Sequence, residues 1–153
     1  MSMTLPLSVQ TASPQQTEAV GADLARLLCD DPSLPPFIAL YGDLGVGKTA
    51  FVRGFASVYA PASRVKSPTF SLVNEYRGEK RSVFHFDMYR ITDEDELYSI
   101  GFYDYPERGG ICLVEWSENI PFALPDRSLR VEILKDSLTD VDSRTISLSL
   151  ITN

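Results

Sequence analysis

The stretch Gly42-Asp43-Leu44-Gly45-Val46-Gly47-Lys48-Thr49 matches the pattern G-x-x-x-x-G-K-[S/T] at every fixed position. The apolar run Pro36 to Tyr41 before it is typical of a buried strand, and Ala50 to Ala56 after it continues as a helix. This strand–loop–helix context is what a phosphate-binding loop requires. The glycines let successive backbone N–H groups point inward at phosphate oxygens, and the helix dipole adds its positive end. The stretch therefore predicts a nucleotide-binding protein.

The last two residues of this loop carry its specific chemistry. Lys48 is expected to reach the β- and γ-phosphates of the nucleotide, and the Thr49 hydroxyl is expected to bind Mg²⁺. The backbone from Gly42 to Gly47 is expected to surround the phosphates. We expect the Lys48 side chain to lie outside the hydrophobic core, so that its replacement should leave the fold intact.

Length and composition are those of an ordinary globular protein. With 153 residues, 44% of them hydrophobic, we expect one domain over residues 1–153. No apolar run approaches the roughly 18 residues of a transmembrane helix, and Met1 to Gln10 lacks the basic start of a secretory signal. We therefore expect a cytoplasmic protein that makes no membrane contact. Cys29 and Cys112 are expected to be small buried side chains rather than a disulfide or a metal site.

The charge of the chain bears on its partners. The net charge is −7 and the pI is about 4.6. Proteins that bind nucleic acid through their own surface usually carry a basic patch. Here the only mildly basic stretches are residues 64–66 and 77–81, and the acidic run Asp93 to Glu96 follows them. Direct, tight binding of tRNA or DNA is disfavoured, whereas a basic protein partner is compatible with this charge.

The chain before the loop predicts a strand and a helix. Residues 4–10 alternate apolar and polar side chains, as a half-buried edge strand does, and Pro6 suits an edge. Ser13 is a typical N-cap, and Pro14 is a typical first helical residue. The helix is predicted to end near Cys29 and to bury Ala19, Leu24, Leu27 and Leu28.

The chain after the loop predicts five strands and one short helix. The strands are predicted at residues 71–76 and 81–89, which form a hairpin, at 111–114, and at 129–133 and 146–150, which form a closing antiparallel pair. A helix that starts at Thr92 with the acids Asp93 to Glu96 is predicted to end near Gly101. Residues 111–114 are continuously apolar, which indicates a strand buried on both faces. We therefore predict an α/β fold, a single P-loop NTPase-like domain with a mixed, mostly parallel sheet between helices.

Two carboxylates stand where a nucleotide-bound magnesium ion needs them. Asp87 ends the predicted strand that contains His85, and Glu115 follows the apolar strand at residues 111–114. Ligands collect at the carboxyl ends of strands in open α/β sheets, and a phosphate loop needs an acid there to help hold Mg²⁺. Either carboxylate is a candidate to bind the metal, directly or through water. The other would then orient the attacking water or act as a general base.

Three further features are ambiguous in the sequence. Ser67-Pro68-Thr69 lies between the loop helix and the next strand, where nucleotide switches place a threonine that meets the γ-phosphate, but an ordinary turn is an equal alternative. His85 alternates with Asp87 and so shares its face of the strand. A single strand histidine is more often a packed, hydrogen-bonded core residue than a catalytic one. Trp116 is either a core residue or a contact surface.

Four segments together resemble a known family. They are the loop from Gly42 to Thr49, Lys66-Ser67-Pro68-Thr69-Phe70, His85-Phe86-Asp87-Met88-Tyr89-Arg90, and Glu115-Trp116-Ser117-Glu118. In this order and spacing the chain resembles TsaE (also called YjeE), the small ATPase of bacterial tRNA threonylcarbamoyladenosine synthesis. A phosphate loop alone is shared by many ATPases and GTPases, whereas the four segments together are specific. The resemblance covers roughly residues 10–125.

The resemblance implies a function and roles for individual residues. It implies Mg²⁺-dependent ATP hydrolysis that supports the TsaB–TsaD complex, which modifies adenosine 37 of certain tRNAs. The chain itself would then leave contact with the tRNA to TsaB and TsaD. It further implies that Thr49 and Glu115 bind Mg²⁺, that Asp87 positions the metal or the water, and that Thr69 belongs to a γ-phosphate switch. The residues implied near the adenine are Ser13 and Thr17.

Two other functions compete with this hypothesis. A small-molecule kinase with the same loop would need an acceptor pocket and a lid that usually carries arginines, and only Arg90 and Arg108 are near suitable positions. A nucleotide-gated binding module would hydrolyse ATP only incidentally. The motif N-K-x-D, by which G proteins select guanine, is absent from the sequence, which favours adenine.

Overall fold

The computed structural model describes residues 3–43, 45–68, 72–136 and 141–153. Within these ranges the chain forms seven strands, three α-helices and four single-turn 3₁₀ helices. The strands are β1 (Leu7–Thr11), β2 (Phe37–Tyr41), β3 (Val73–Tyr76), β4 (Val83–Asp87), β5 (Ile111–Glu115), β6 (Arg127–Lys135) and β7 (Arg144–Thr152). The α-helices are α1 (Pro14–Asp30), α2 (Lys48–Tyr59) and α3 (Glu94–Ser99), and the 3₁₀ helices are Phe102–Asp104, Pro106–Arg108, Ser117–Asn119 and Pro121–Ala123.

All seven strands belong to one sheet, in the order β1-β7-β6-β2-β5-β4-β3. The four inner strands run parallel, because β2 pairs parallel with both β5 and β6, and β4 pairs parallel with β5. Antiparallel pairs complete both sides, with β3 beside β4, and with β7 between β6 and β1. The predicted mixed α/β sheet with an antiparallel C-terminal pair is therefore confirmed. β1 lies at an edge, as its sequence predicts.

The sheet separates two hydrophobic cores. On one face, α1 and α2 pack over residues that include Ile38, Leu40 and Leu113. On the other face, α3 and the 3₁₀ helix Phe102–Asp104 cover residues that include Phe86. Successive residues of a strand point to opposite faces, so β2 is apolar throughout and β5 is apolar up to its last residue, Glu115. The carboxyl ends of the parallel strands are consequently held in a rigid frame.

The first helix starts as predicted but buries a different set of residues. The Ser13 hydroxyl oxygen accepts a hydrogen bond from the Gln16 N–H at 3.1 Å, and Pro14 is the first helical residue. The buried stripe of α1 contains Leu24 and Leu28 but neither Leu27, which is half-buried, nor Ala19, which is exposed. Cys29 is also exposed, whereas Cys112 is buried, and both are free thiols. The predictions of burial for Ala19 and Cys29 were wrong, because both residues lie on the solvent side of the buried stripe.

Other element boundaries shift by small amounts. The N-cap of α3 is Asp93, whose carboxylate accepts from the Glu96 N–H at 3.0 Å, so the helix starts after Thr92. Thr92 instead donates its hydroxyl to Glu96 Oε1 at 2.5 Å. β4 is shorter than the predicted strand at residues 81–89, because Tyr89 and Arg90 lie in a turn. In the parts of the chain that the structure describes, no helix is long and apolar enough to cross a membrane.

Glycines allow α1 and α2 to cross in close contact. A Cβ atom at Gly54 would lie 1.8 Å from the Glu18 carbonyl oxygen, and one at Gly21 would lie 2.1 Å from the Phe51 carbonyl oxygen. Real Cβ atoms do not approach backbone atoms this closely, so either side chain would push the helices apart. This crossing joins α2, the helix of the phosphate loop, to α1, whose N-cap is Ser13.

We expect Gly54→Ala to destabilise the protein, although alanine is the better helix former by about 1 kcal/mol. Separating two packed helices should outweigh that gain and leave a net loss of about 2 kcal/mol. For a chain of this length the loss should lower the thermal midpoint by about 4–8 °C, measured by circular dichroism. Ser57→Ala, at an exposed position of the same helix, is the control. It loses the bond from the Ser57 hydroxyl to the Gly54 carbonyl oxygen, at 2.6 Å, but gains helix propensity, so it should change stability by no more than about 0.5 kcal/mol. A midpoint equal to wild type for Gly54→Ala would contradict the close crossing.

Candidate nucleotide-binding site

The glycine-rich loop connects the end of β2 to the start of α2. Gly42 and Gly47 adopt φ values of 147° and 109°, in the region that favours glycine. A Cβ atom at Gly42 would lie 2.7 Å from the Ile133 carbonyl oxygen, so no other residue fits there. Gly47 is the N-cap of α2, which directs the helix N-terminus at the space inside the loop. Leu44 lies outside the described residues.

Lys48 folds under the loop. Its ammonium donates a hydrogen bond to the Gly42 carbonyl oxygen at 2.6 Å and lies 4.0 Å from the centroid of the Trp116 ring. Only 5% of the residue is exposed, and burial lowers the pKa of the ammonium, against the opposing effect of Glu115 and other nearby carboxylates. The residue belongs to neither hydrophobic core, as expected, but it is buried among the groups of the site.

The two candidate carboxylates are direct neighbours on adjacent strands. Asp87 is the register partner of Glu115 in the parallel pair of β4 and β5, and Glu115 is also opposite Leu40 in β2. Glu115 is 5% exposed, and Asp87 is half-buried. Burial raises the pKa of the Asp87 carboxyl, although a hydrogen bond from the Tyr89 N–H, at 3.0 Å, acts the other way. The structure therefore brings both acids to the sheet edge where the loop begins.

His85 is a packed, hydrogen-bonded residue, in agreement with the more common of its two interpretations. It is fully buried. Its Nε2 atom contacts the Glu115 carboxylate, and its Nδ1 atom is 3.0 Å from the Tyr76 hydroxyl. The Tyr76 hydroxyl in turn lies 3.0 Å from the carbonyl oxygen of Lys66, just before Ser67-Pro68. Thr69 lies outside the described residues.

Ser13 and Thr17 stand beside the loop on the side of α1. Together with Gly45, Gly47 and Arg144 they line a cleft of about 160 Å³. Thr17 is buried, and its hydroxyl is 3.0 Å from the Thr11 hydroxyl. The structure thus places both residues that the resemblance assigned to the adenine next to the phosphate loop.

The TsaE family model, described as "Threonylcarbamoyl adenosine biosynthesis protein TsaE", matches residues 11–146. The matched part is most of the 153-residue chain. The chain belongs to the TsaE family. The resemblance inferred from the four short segments is confirmed by this match, which extends through β6 to the start of β7.

Individual relatives of the chain carry the same family name. The tRNA threonylcarbamoyladenosine biosynthesis protein TsaE of Bacillus subtilis is 34% identical over 147 residues, which are 96% of this chain and 87% of that protein. The protein of the same name from Haemophilus influenzae is 43% identical over 96 residues, which are 63% of this chain and 61% of that protein. The match therefore spans about three fifths of the Haemophilus protein's length. The crystal structure of Bacillus subtilis YdiB has a TM-score of 0.74 and 29% identity, and the match covers 100% of this chain and 90% of YdiB.

Two residues of this TsaE-family site were missed by the sequence analysis. Arg144, at the start of β7, donates its Nε–H to the Val46 carbonyl oxygen at 2.7 Å and so holds the loop from the C-terminal hairpin. Tyr76 joins His85 to Lys66 by its hydroxyl. No local pattern marks either residue, because each acts through a partner that is distant in the sequence. Trp116 was noted without a role, and its ring now proves to lie beside the Lys48 ammonium.

The donors in this TsaE-family site fit Mg²⁺ only when a nucleotide accompanies it. Within the described ranges, no group of three or more His, Cys, Asp or Glu side chains is able to hold a metal ion. Mg²⁺ usually takes one or two carboxylates together with substrate phosphates and water. Glu115 and Asp87 are two carboxylates that could serve in this way, and Thr49 is the second residue of α2. This set suits an ion that arrives with phosphate rather than a permanently bound metal.

Proposed function

We propose that this chain is the ATP-binding and ATP-hydrolysing subunit required for threonylcarbamoyladenosine modification of tRNA at adenosine 37, acting with the TsaB–TsaD complex. One observation carries the proposal: a buried lysine at the end of a glycine-rich loop faces two carboxylates at neighbouring strand ends. This combination suits Mg²⁺ and phosphate and has little use without them. The role in threonylcarbamoyladenosine biosynthesis follows from membership of the TsaE family.

The residues of the loop bind and neutralise the phosphates. The backbone from Gly42 to Gly47 offers N–H groups at the start of α2. Lys48 exchanges its bond to the Gly42 carbonyl oxygen for the β- and γ-phosphates, which are stronger partners for an ammonium because the hydrogen bond is then charge-assisted on both sides. That exchange moves the ammonium away from the Trp116 ring.

Glu115 and Asp87 are proposed to have different roles because their surroundings differ. Glu115, the more deeply buried acid, is proposed to hold Mg²⁺ together with Thr49, and the bound ion would supply positive charge to the phosphates. Asp87 is half-buried, and burial raises the pKa of its carboxyl, which makes it a better proton acceptor than an ordinary aspartate. We assign Asp87 to orienting the attacking water. Thr69 is assigned to the γ-phosphate switch.

The base is proposed to lie towards α1. Ser13 and Thr17 border the cleft beside Gly45 and Gly47, and the Ser13 hydroxyl already caps α1. The absence of the N-K-x-D motif favours adenine over guanine. ATP is therefore the proposed nucleotide.

The kinase alternative would need Arg90 and Arg108 to lie over an acceptor pocket. Arg108 is bound to Glu75 at 3.2 Å, and its guanidinium lies 4.8 Å from the Phe84 ring centroid, so it supports the hairpin side of the protein. Arg90 is exposed in the turn after β4. Neither arrangement is that of a lid over an acceptor pocket.

The proposed partners follow from charge and family together. A chain with net charge −7 is repelled by tRNA, and it has few clustered cations through which counterion release could favour binding. We therefore assign tRNA contact to TsaD and TsaB, and we propose a cytoplasmic location, where tRNA is modified.

The test is a calorimetric titration of the chain into purified TsaB–TsaD with ADP and, separately, with a non-hydrolysable ATP analogue, each with Mg²⁺. We expect affinities that differ between the two nucleotides by about tenfold, a common size for coupling between sites. In the same buffer at physiological salt, we expect no measurable binding of bare tRNA. Thr69→Ala should reduce the difference between nucleotides, and Thr69→Ser, which keeps the hydroxyl, should preserve it.

Two results would overturn parts of this proposal. Equal affinities with both nucleotides would remove the switch but not the partnership. No binding to TsaB–TsaD in either state, together with tight binding to bare tRNA, would overturn the functional assignment.

A further inference from the structure

A buried chain of hydrogen bonds leaves the metal-site end of β5 and reaches the segment before Thr69. It runs from the Glu115 carboxylate to His85 Nε2, from His85 Nδ1 to the Tyr76 hydroxyl, and from that hydroxyl to the Lys66 backbone. Glu115, His85 and Tyr76 are all buried. Of these groups, only Glu115 has a role in the proposed ATP hydrolysis.

His85 connects two strands through its two ring nitrogens. Its imidazole spans from β5 to β3, because β4 lies between those strands in the sheet. An imidazole has one nitrogen on each side of the ring, so one rigid side chain fixes the positions of both partners. Since the residue has no exposure to solvent, water is not available to replace either partner when one of them moves.

Tyr76 holds the backbone of Lys66 at two points. Its hydroxyl oxygen accepts from the Lys66 N–H at 3.3 Å and is 3.0 Å from the Lys66 carbonyl oxygen. That hydroxyl has one hydrogen and two possible acceptors, the Lys66 carbonyl oxygen and His85 Nδ1, which are both at 3.0 Å. The hydroxyl therefore cannot donate to both at once, and a displacement of His85 alters the hold on Lys66.

The position of Lys66 gives this connection a functional target. Asn74 Nδ2 also donates to the Lys66 carbonyl oxygen, at 3.0 Å, so β3 fixes Lys66 while the chain continues into Ser67 and the buried Pro68. The next residue is Thr69, to which the proposed function assigns the γ-phosphate switch. Two side chains of β3, those of Asn74 and Tyr76, thus hold Lys66 directly before Ser67 and Pro68.

We propose that His85 and Tyr76 are positioning residues that couple the Glu115 carboxylate to the segment Lys66–Pro68, so that occupation of the metal site changes the position of this segment. The inference rests on the proposed function, because it assumes that Glu115 meets Mg²⁺ with the nucleotide. A shift of the Glu115 carboxylate when Mg²⁺ binds would move the His85 imidazole. The Tyr76 hydroxyl would then change its hydrogen bonds to Lys66.

Three substitutions separate the two halves of the connection. Tyr76→Phe removes only the hydroxyl that binds Lys66. His85→Gln keeps an amide near the position of Nε2, towards Glu115, and His85→Asn keeps one near Nδ1, towards Tyr76. Tyr59→Phe is the control, since it deletes the hydroxyl of a half-buried tyrosine on the same face of the sheet, 3.3 Å from the Ala25 carbonyl oxygen.

The first readout is hydrogen exchange of the Lys66 amide, measured by mass spectrometry with and without a non-hydrolysable ATP analogue and Mg²⁺. In wild type we expect exchange to change when the nucleotide is added. In Tyr76→Phe, which loses the acceptor of the Lys66 N–H, we expect exchange without nucleotide to be about tenfold faster, the usual effect of one hydrogen bond, and to respond little to nucleotide. In His85→Gln the Tyr76 hydroxyl remains to accept from Lys66, so exchange without nucleotide should stay near wild type while its response to nucleotide is lost. Tyr59→Phe should behave as wild type.

The second readout is the Mg²⁺ concentration that gives half of the fluorescence change of Trp116, the only tryptophan in the chain, when the ATP analogue is present. We expect His85→Asn, which loses the donor to Glu115, to raise this concentration about tenfold. His85→Gln and Tyr76→Phe should stay within about twofold of wild type. A purely structural role for His85 would not separate the glutamine variant from the asparagine variant.

The outcomes distinguish the inference from the function on which it rests. If wild type responds to ATP and Mg²⁺ but Tyr76→Phe shows the same nucleotide response at Lys66, the coupling is overturned and the function stands. If wild-type Trp116 fluorescence does not respond to nucleotide with Mg²⁺, the proposed function and the inference both fall. Should the His85 variants not fold, Tyr76→Phe alone decides the question.

Discussion

Lys48→Ala is expected to abolish ATP hydrolysis, with a fall in rate of about 100-fold or more, the usual effect of removing a group that stabilises charge in the transition state. The Lys48 ammonium is the cation proposed to bind the phosphates. Without nucleotide it contacts the Gly42 carbonyl oxygen and the Trp116 ring. Nucleotide binding should weaken as well. The measurement is phosphate release under saturating ATP, with binding followed by calorimetry.

Two control variants separate charge from packing in this experiment. Because Lys48 is almost completely buried, alanine also removes contacts of its aliphatic stem. Lys48→Met keeps the stem and removes the charge, so it should be as inactive as Lys48→Ala but closer to wild type in thermal midpoint. Lys80→Ala removes the same charge from an exposed turn and should hydrolyse ATP normally. Wild-type hydrolysis by Lys48→Met would sink the assignment of the loop.

Glu115→Gln is expected to raise the Mg²⁺ concentration required for tight nucleotide binding by about tenfold or more, since a bond to a charged group is lost from a buried position. Glutamine has nearly the same shape and keeps an oxygen that accepts from His85, so the change is largely one of charge. Isothermal titration with the ATP analogue at several Mg²⁺ concentrations measures it. Glu118→Gln, an exposed acid whose charge also acts on Lys48, is the control.

Asp87→Asn should affect hydrolysis more than nucleotide binding, in contrast to Glu115→Gln. We expect hydrolysis to fall by about 100-fold, within the range of general acid–base catalysis, while nucleotide affinity and its Mg²⁺ dependence remain close to wild type. If the effects of the two variants are exchanged, only the assignment of roles is wrong. If both variants bind and hydrolyse ATP like wild type, the two carboxylates are not the metal and water site.

The features that could be predicted from the sequence are those whose signal is local. The glycine-rich loop, the N-cap Ser13 with Pro14, and the strand that ends in Glu115 each depend on a few consecutive residues. Their backbone requirements are met by the residue types themselves. The burial of individual helical residues is harder to predict, because successive residues lie about 100° apart around the helix axis. An error of one position therefore moves a side chain off the buried stripe. Ala19 and Cys29 show this error.

The connections that complete the site depend on tertiary packing and have no local signal. Arg144 reaches the Val46 carbonyl oxygen across 98 positions of the sequence. His85 touches Glu115 across 30 positions. These partners meet only because β4 and β5 pair in one register and β7 returns past the loop. A sequence pattern can name a histidine on a strand, but it does not say which carboxylate lies beside it.

Two residues near the site have left-handed backbone conformations, which residues other than glycine rarely adopt. Trp116 and Leu72 have φ values of 60° and 65°, and each such conformation costs an ordinary side chain about 1 kcal/mol or more. Trp116 follows Glu115 directly, and the Leu72 carbonyl oxygen accepts from the Asp87 N–H at 3.0 Å. Glycine would relieve the strain at position 116 but would remove the ring beside Lys48. Selection for heat resistance alone would therefore favour a different residue here from selection for a working ATPase, and the most thermostable member of a variant library should not be its most active one.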